Sequence, residues 1–90
     1  TINIIAQQDY YESYFKSAQL CRKIKGYDIF CVCAGGNVNI LAYHNQKFIV
    51  LQTIPNLYNS RIIDVAVYKN YIIPIADSRG ETVKVIEFNA

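Results

Sequence analysis

The hydrophobic pattern of this chain changes its period once, at Gly26. Upstream, Asp9 followed three residues later by Glu12 fits a capping box, and Tyr11, Tyr14, Phe15 and Ala18 fall at helical spacing. Arg22, Lys23 and Lys25 stand where cations suit a helix C-terminus, with Gly26 as the stop. The pattern predicts a helix over about residues 10–25, after a weakly alternating, strand-like segment over residues 1–6. Downstream the period is that of sheet. Residues 29–34 are apolar at every position, as in a strand covered on both faces. Gly35-Gly36 supplies a tight hairpin turn into residues 37–43, and His44-Asn45-Gln46 turns the chain into a third strand, 47–54. After a loop bracketed by Pro55-Asn56 and Asn59-Ser60, residues 61–68 and 71–76 read as strands joined at Lys69-Asn70. The turn Asp77-Ser78-Arg79-Gly80 then leads into residues 82–88. Pro74 donates no ladder hydrogen bond and belongs at a bulge or edge.

Within this pattern one stretch is written twice. Residues 27–43 (YDIFCVCAGGNVNILAY) and 70–88 (NYIIPIADSRGETVKVIEF) each hold an apolar run, a Gly-containing turn and a second run with Val-x-(Ile/Val). Ala34 aligns with Asp77, 43 residues on, and Val38 with Val83, 45 residues on. Periods of about 40 to 50 residues with several strands each are those of propeller blades. A small twisted sheet cannot bury both of its faces alone, and radial stacking of sheets covers them. The expected fold is therefore mainly β, with antiparallel meander sheets forming a partial β-propeller of about one and a half to two blades, plus an N-terminal helix. Residues 1–26 would hold the first strand and the helix, and residues 27–90 two meander units. The alternative is a compact α+β meander domain, a self-contained structural or dimerising subunit. Two blades close no ring, so the partners implied are other proteins or further blades of a longer chain.

Composition narrows this picture. With 90 residues, 52% of them hydrophobic and 18% charged, the chain suits one packed domain. A formal net charge of +2 is too small for a nucleic-acid surface, and the one basic cluster is Arg22, Lys23 and Lys25. No apolar run approaches the roughly 18 residues of a membrane span. The chain starts at Thr1 and holds no Met, which reads as a piece of something longer or a processed product. Three cysteines, an odd number, favour a reducing, intracellular setting in cytoplasm or nucleus. Cys31 and Cys33 would share one face of a strand as small buried hydrophobes.

Candidate chemistry is thin. Cys33 with His44 would need an acid to complete a nucleophilic set, and none is positioned; His44 reads as a turn residue. Gly35-Gly36-Asn37 leads into a strand rather than a helix, which makes it a hairpin turn and not a phosphate loop. Asp77 and Glu81 flank Arg79-Gly80 as a polar turn, with spacing unlike any calcium loop. We therefore expect no catalytic, cofactor or metal site and no enzyme. The expected role is a protein–protein interaction scaffold whose loops carry the contacts, with Asn56, Tyr58, Arg61, Lys69 and Arg79 as candidate partner-binding residues. Among the eight tyrosines, Tyr11 and Tyr14 are expected to pack the helix against the sheet.

Two resemblances bear on the same residues. The stretch 47–55 (KFIVLQTIP), Asp64, residues 71–77 and residues 83–88 resemble the EAR (EPTP) repeat of extracellular propellers over about 45 residues. Tyr43 and Phe88 stand where that family often has Trp. The run Asn70-Tyr71-Ile72-Ile73, then Ala76-Asp77 and Val83-Lys84-Val85-Ile86, is also similar to late blades of the cleavage and polyadenylation factor A / damaged-DNA-binding protein 1 family. WD40 signatures are missing, with no Trp and no Gly-His pair. These resemblances imply a propeller fold, and the first implies an extracellular alternative for the compartment. Neither implies a chemistry.

Overall fold

The computed structural model describes residues 1–12, 14–77 and 82–89. The chain is mainly β, built from antiparallel meander sheets that do not close into a barrel among the described residues. Its strands are β1 (Phe15–Gln19), β2 (Asp28–Ala34), β3 (Asn37–His44), β4 (Lys47–Ile54), β5 (Ile62–Tyr68), β6 (Tyr71–Ala76) and β7 (Ile86–Glu87). The first sheet has four strands in the order β1-β2-β3-β4, and the second has three in the order β5-β6-β7.

Among the described residues neither the expected N-terminal helix nor a strand over 1–6 is present, and the α+β alternative goes with the helix. Residues 15–19 form instead an edge strand paired antiparallel to β2, with Phe15 opposite Ala34 and Gln19 opposite Phe30. The reason is a long-range gain that local propensity does not contain: β2 has a free edge, and β1 fills it with a full ladder. The same residues also satisfy a strand pattern, because Ala18 and the buried Leu20 share the face of Cys31 while Phe15 takes the other. Gly26, the expected helix stop, sits with Lys25 at positive φ (82° and 51°). Together they make a tight turn between Ile24 and Tyr27, whose backbones exchange hydrogen bonds of 3.1 and 2.8 Å.

Downstream of Gly26 β2 to β6 fall where the pattern predicts them, whereas the strand expected over 82–88 is cut to Ile86–Glu87, the two residues that find partners on β6. The uniformly apolar run of β2 is divided between two faces: Ile29, Cys31 and Cys33 are fully buried on one, while Phe30 and Val32 are half-buried on the other. The first set lies opposite Ala42, Ile40 and Val38 of β3. These residues form one core with Ile62, Ile72 and Phe88 of the second sheet, joined by Val65, Val67 and Ile86. Each fully buried aliphatic side chain there contributes about 1.5–3 kcal/mol. Pro74 is tolerated in the central strand of the second sheet because it lies beyond Tyr71 and Ile72, the residues that pair with β7.

A hydrogen bond fixes how the two sheets correspond. The Gly35 N–H donates to the Tyr14 carbonyl at 3.0 Å, closing the start of β1 on the end of β2. The Asp77 N–H donates to the Arg61 carbonyl at 3.0 Å, closing β5 on β6 in the same way. Gly35 therefore corresponds to Asp77, 42 residues on, and Tyr14 to Arg61, 47 residues on. The sequence alignment of Ala34 with Asp77 is one residue out, and in a strand a slip of one exchanges the faces. In the corrected register Cys31 and Cys33 match Ile73 and Ile75. Cys31 and Cys33 face the second sheet, whereas Ile73 and Ile75 stay outside the core and turn away from the first. The two sheets thus stack in the same face order, one behind the other, rather than as mirror-related halves of a sandwich.

Candidate functional site

The loop from β4 to β5 crosses the β2–β3 turn, and glycine makes this crossing possible. The Tyr58 N–H donates to the Gly36 carbonyl at 3.3 Å and the Ile62 N–H to the Gly35 carbonyl at 2.7 Å. A Cβ on Gly36 would run into the Tyr58 carbonyl and lie 2.9 Å from the Ser60 oxygen. Gly35 takes φ 60°, which glycine adopts without strain. The crossing leaves a polar cleft of about 300 Å3 at this end of the sheets, lined by Glu12, Tyr14, Asn37, Asn56, Asn59, Ser60 and Arg61.

Each wall has a physical anchor. The Asn56 N–H donates to the Asn37 side-chain oxygen at 2.7 Å. Arg61 pairs with Asp77 (Nε to Oδ2, 3.1 Å), and its guanidinium lies 4.8 Å from the centre of the Tyr14 ring. Both partners of this pair are about half exposed, so the ion pair contributes roughly 0–1 kcal/mol and mainly orients the arginine. The Ser60 hydroxyl is buried with no hydrogen-bond partner among the described residues.

The candidate contact residues divide among different places. Asn56 and Arg61 line the cleft and are exposed. Tyr58 is buried, which removes it as a surface contact. Its hydroxyl donates to the Pro74 carbonyl at 3.1 Å and accepts from the Lys84 N–H at 3.1 Å, pinning the loop to the second sheet. The Lys84 ammonium caps its ring at 4.4 Å. Lys69 lies at the opposite end, in the β5–β6 turn at φ 54°, beside a recess shared with Cys21, Arg22 and Asn70. Arg79 and Glu81 lie outside the described residues.

The sequence pattern missed Glu12 and Asn37 as cleft residues. Its spacing from Asp9 puts Glu12 in a helix cap, and Asn37 reads as the exit of a hairpin. The asparagines at 37, 56 and 59, each beside a turn, were the available signal.

Cys33, near the end of β2, and His44, at the end of β3, stand at opposite ends of the sheet. Cys33 pairs with Val38, and six further residues along the strand, roughly 20 Å, separate it from His44. The His44 ring stacks on Tyr27 with centroids 4.4 Å apart and planes 5° from parallel. Cys31 and Cys33 are fully buried with sulfurs 3.8 Å apart. The hydrogen bond to Cys33 and burial push the Cys31 thiol well up, so it stays protonated and inert at neutral pH. Among the described residues no three His, Cys, Asp or Glu side chains cluster as a metal site would require. No helix there is long and apolar enough to cross a membrane.

What the cleft offers is hydrogen-bond donors and acceptors, the Glu12 carboxylate and the Arg61 guanidinium, which suits recognition of a polar surface. Compared with known proteins, the chain matches no family model, no curated protein and no solved structure.

Proposed function

We propose that this chain forms consecutive blades of a β-propeller and acts as a non-catalytic protein–protein interaction scaffold within a larger assembly. The observation that carries the proposal is the repeated closure, Gly35 to Tyr14 and Asp77 to Arg61, together with the same face order in both sheets. Such stacking is heterologous: each sheet offers one face forward and a different one behind, and the series continues until a ring closes. The first strands of the two sheets, β1 and β5, lie closest to each other, as innermost strands of neighbouring blades do. Three free thiols favour an intracellular assembly.

In this proposal the partner surface is the cleft end, where Asn56, Asn59 and Arg61 are exposed on a loop held by Tyr58. Photo-crosslinking residues placed in cells at Asn56, Asn59 and Arg61 are expected to capture one discrete partner protein, and the same residue at Asp64, exposed on β5, is not. Equal capture from all positions, or none, would remove the cleft as the contact surface.

A further inference from the structure

Two buried thiols stand on the strand of the first sheet that has least freedom to move. Cys31 and Cys33 lie in β2, which is paired along both edges, to Ala18 and Lys16 of β1 and to Ile40 and Val38 of β3. Their sulfurs are 3.8 Å apart and share a hydrogen bond, and both side chains are fully buried. They belong to the core that joins the two sheets, with Leu20, Ile40, Ile62 and Ile72.

A small aliphatic residue would fill the same space. What two thiols add is a covalent option, and the strand excludes it while it stays extended. Residues two apart on a strand have Cα atoms about 6.8 Å apart and Cβ atoms that point the same way at about the same separation. A disulfide requires a Cβ separation of about 3.5–4.5 Å and an S–S length of about 2.05 Å. Closing the bond therefore draws residues 31 and 33 together by about 2 Å or more. Both ladders resist this, so the pairs to Lys16, Ala18, Val38 and Ile40 would part and two core residues would leave the interface.

The exclusion also runs the other way. Neither thiol has exposed surface, so no reagent sulfur reaches them in the closed molecule, and the hydrogen bond and burial hold Cys31 protonated there. Exchange has to begin from a state in which the core has opened.

We propose that Cys31 and Cys33 form a redox latch: as a dithiol they complete the shared core, and as a disulfide, formed when an opened chain meets oxidised glutathione or a similar small disulfide, they hold the first sheet open. One cysteine thiolate attacks a sulfur of the small disulfide and expels a first thiol, leaving a mixed disulfide. The second cysteine attacks the protein-side sulfur of that bond, forms the Cys31–Cys33 link and expels the second thiol. The two cysteines lose two electrons, the reagent's S–S bond gains them, and the two cysteine protons end on the released thiols. Excess thiol reverses both steps and lets β2 re-form. The latch is independent of the stacked-blade assignment and of any partner at the cleft.

The test uses the full chain carrying Cys21→Ser, since Cys21 is exposed and would compete for the reagent. Oxidised glutathione is added in native buffer and in urea, and mass spectrometry follows the loss of two hydrogens. Oxidation is expected to be roughly 100-fold or more slower in native buffer, because only the opened fraction reacts. With the reduced chain refolded from urea as reference, the oxidised chain is expected to lack a cooperative melt, and dithiothreitol to restore it. Equal oxidation rates in the two buffers, addition of two glutathiones in place of the internal bond, or an oxidised chain that still melts cooperatively would overturn the proposal.

Discussion

The two sheets of this molecule close their first hairpins with the same hydrogen bond and differ in what lies on either side of them. The first sheet has the second against one face and residues 6–10 over part of the other, so that much of β2 and the middle of β3, Val38 to Ala42, is buried. Among the described residues the second sheet is covered on one face only. Tyr71 and Ile73 are half-buried and Ile75 is 37% exposed, although they match Ile29, Cys31 and Cys33, all fully buried. Equivalent positions thus carry unequal burial, because burial here is set by the place of a sheet in the stack. An apolar residue on a meander contributes in proportion to what the next layer removes from water.

The largest expected effect breaks or upholds that contrast directly. Ile29→Ala should destabilise the chain by about 2–5 kcal/mol in chemical denaturation, since it opens a cavity in the shared core. Ile75→Ala, on the open face, should cost less than about 1 kcal/mol. Comparable losses would mean that the outer face of the second sheet is covered in solution.

Next in size is the loop crossing that ties the sheets together. Gly36→Ala places a methyl against the Tyr58 and Ser60 carbonyls and should cost about 3 kcal/mol. Gly26→Ala meets no atom within 4 Å and pays only for its φ of 82°, about 1 kcal/mol. Thermal melts of the two variants should separate clearly, and indistinguishable melts would show that the crossing is loose.

Tyr58→Phe should cost about 1–2 kcal/mol, because the Pro74 carbonyl and the Lys84 N–H each lose their hydroxyl partner in a buried setting. Hydrogen exchange at the Lys84 amide should speed up in this variant, and unchanged exchange would remove the pin. Smallest of all, Arg61→Ala breaks an exposed pair with Asp77 and should change stability by less than about 1 kcal/mol, with the difference fading in high salt. A larger loss would place Arg61 in the framework rather than on the surface of the cleft.

What the sequence made legible follows from how local each signal is. The hairpins at Gly35-Gly36 and Lys69-Asn70 and the strands around them are encoded by neighbouring residues, and they fall where the pattern predicts. Residues 15–19 are different. A capping pair and aromatic spacing point to a helix, but the hydrogen bonds that decide their state come from β2, more than ten residues away. The repeat was visible and its register was one residue out, since Ala34 and Asp77 look alike as ends of apolar runs while only the backbone closures show that Gly35 matches Asp77. In the cleft, Asn56 and Arg61 were legible as polar loop residues. Tyr58 was not, because an aromatic inside a polar loop is equally consistent with a contact residue and an anchor, and its partners Pro74 and Lys84 are distant in sequence.

The face order of the stacked sheets is the claim on which the rest depends, and methyl-resolved NOE spectra of the isoleucine-labelled chain test it most directly. The expected result is long-range cross-peaks from the Ile72 methyls to core methyls of the first sheet, with none from Ile73 or Ile75. Cross-peaks from Ile73 and Ile75 to the first sheet, with Ile72 silent, would contradict it and restore the mirror-related sandwich.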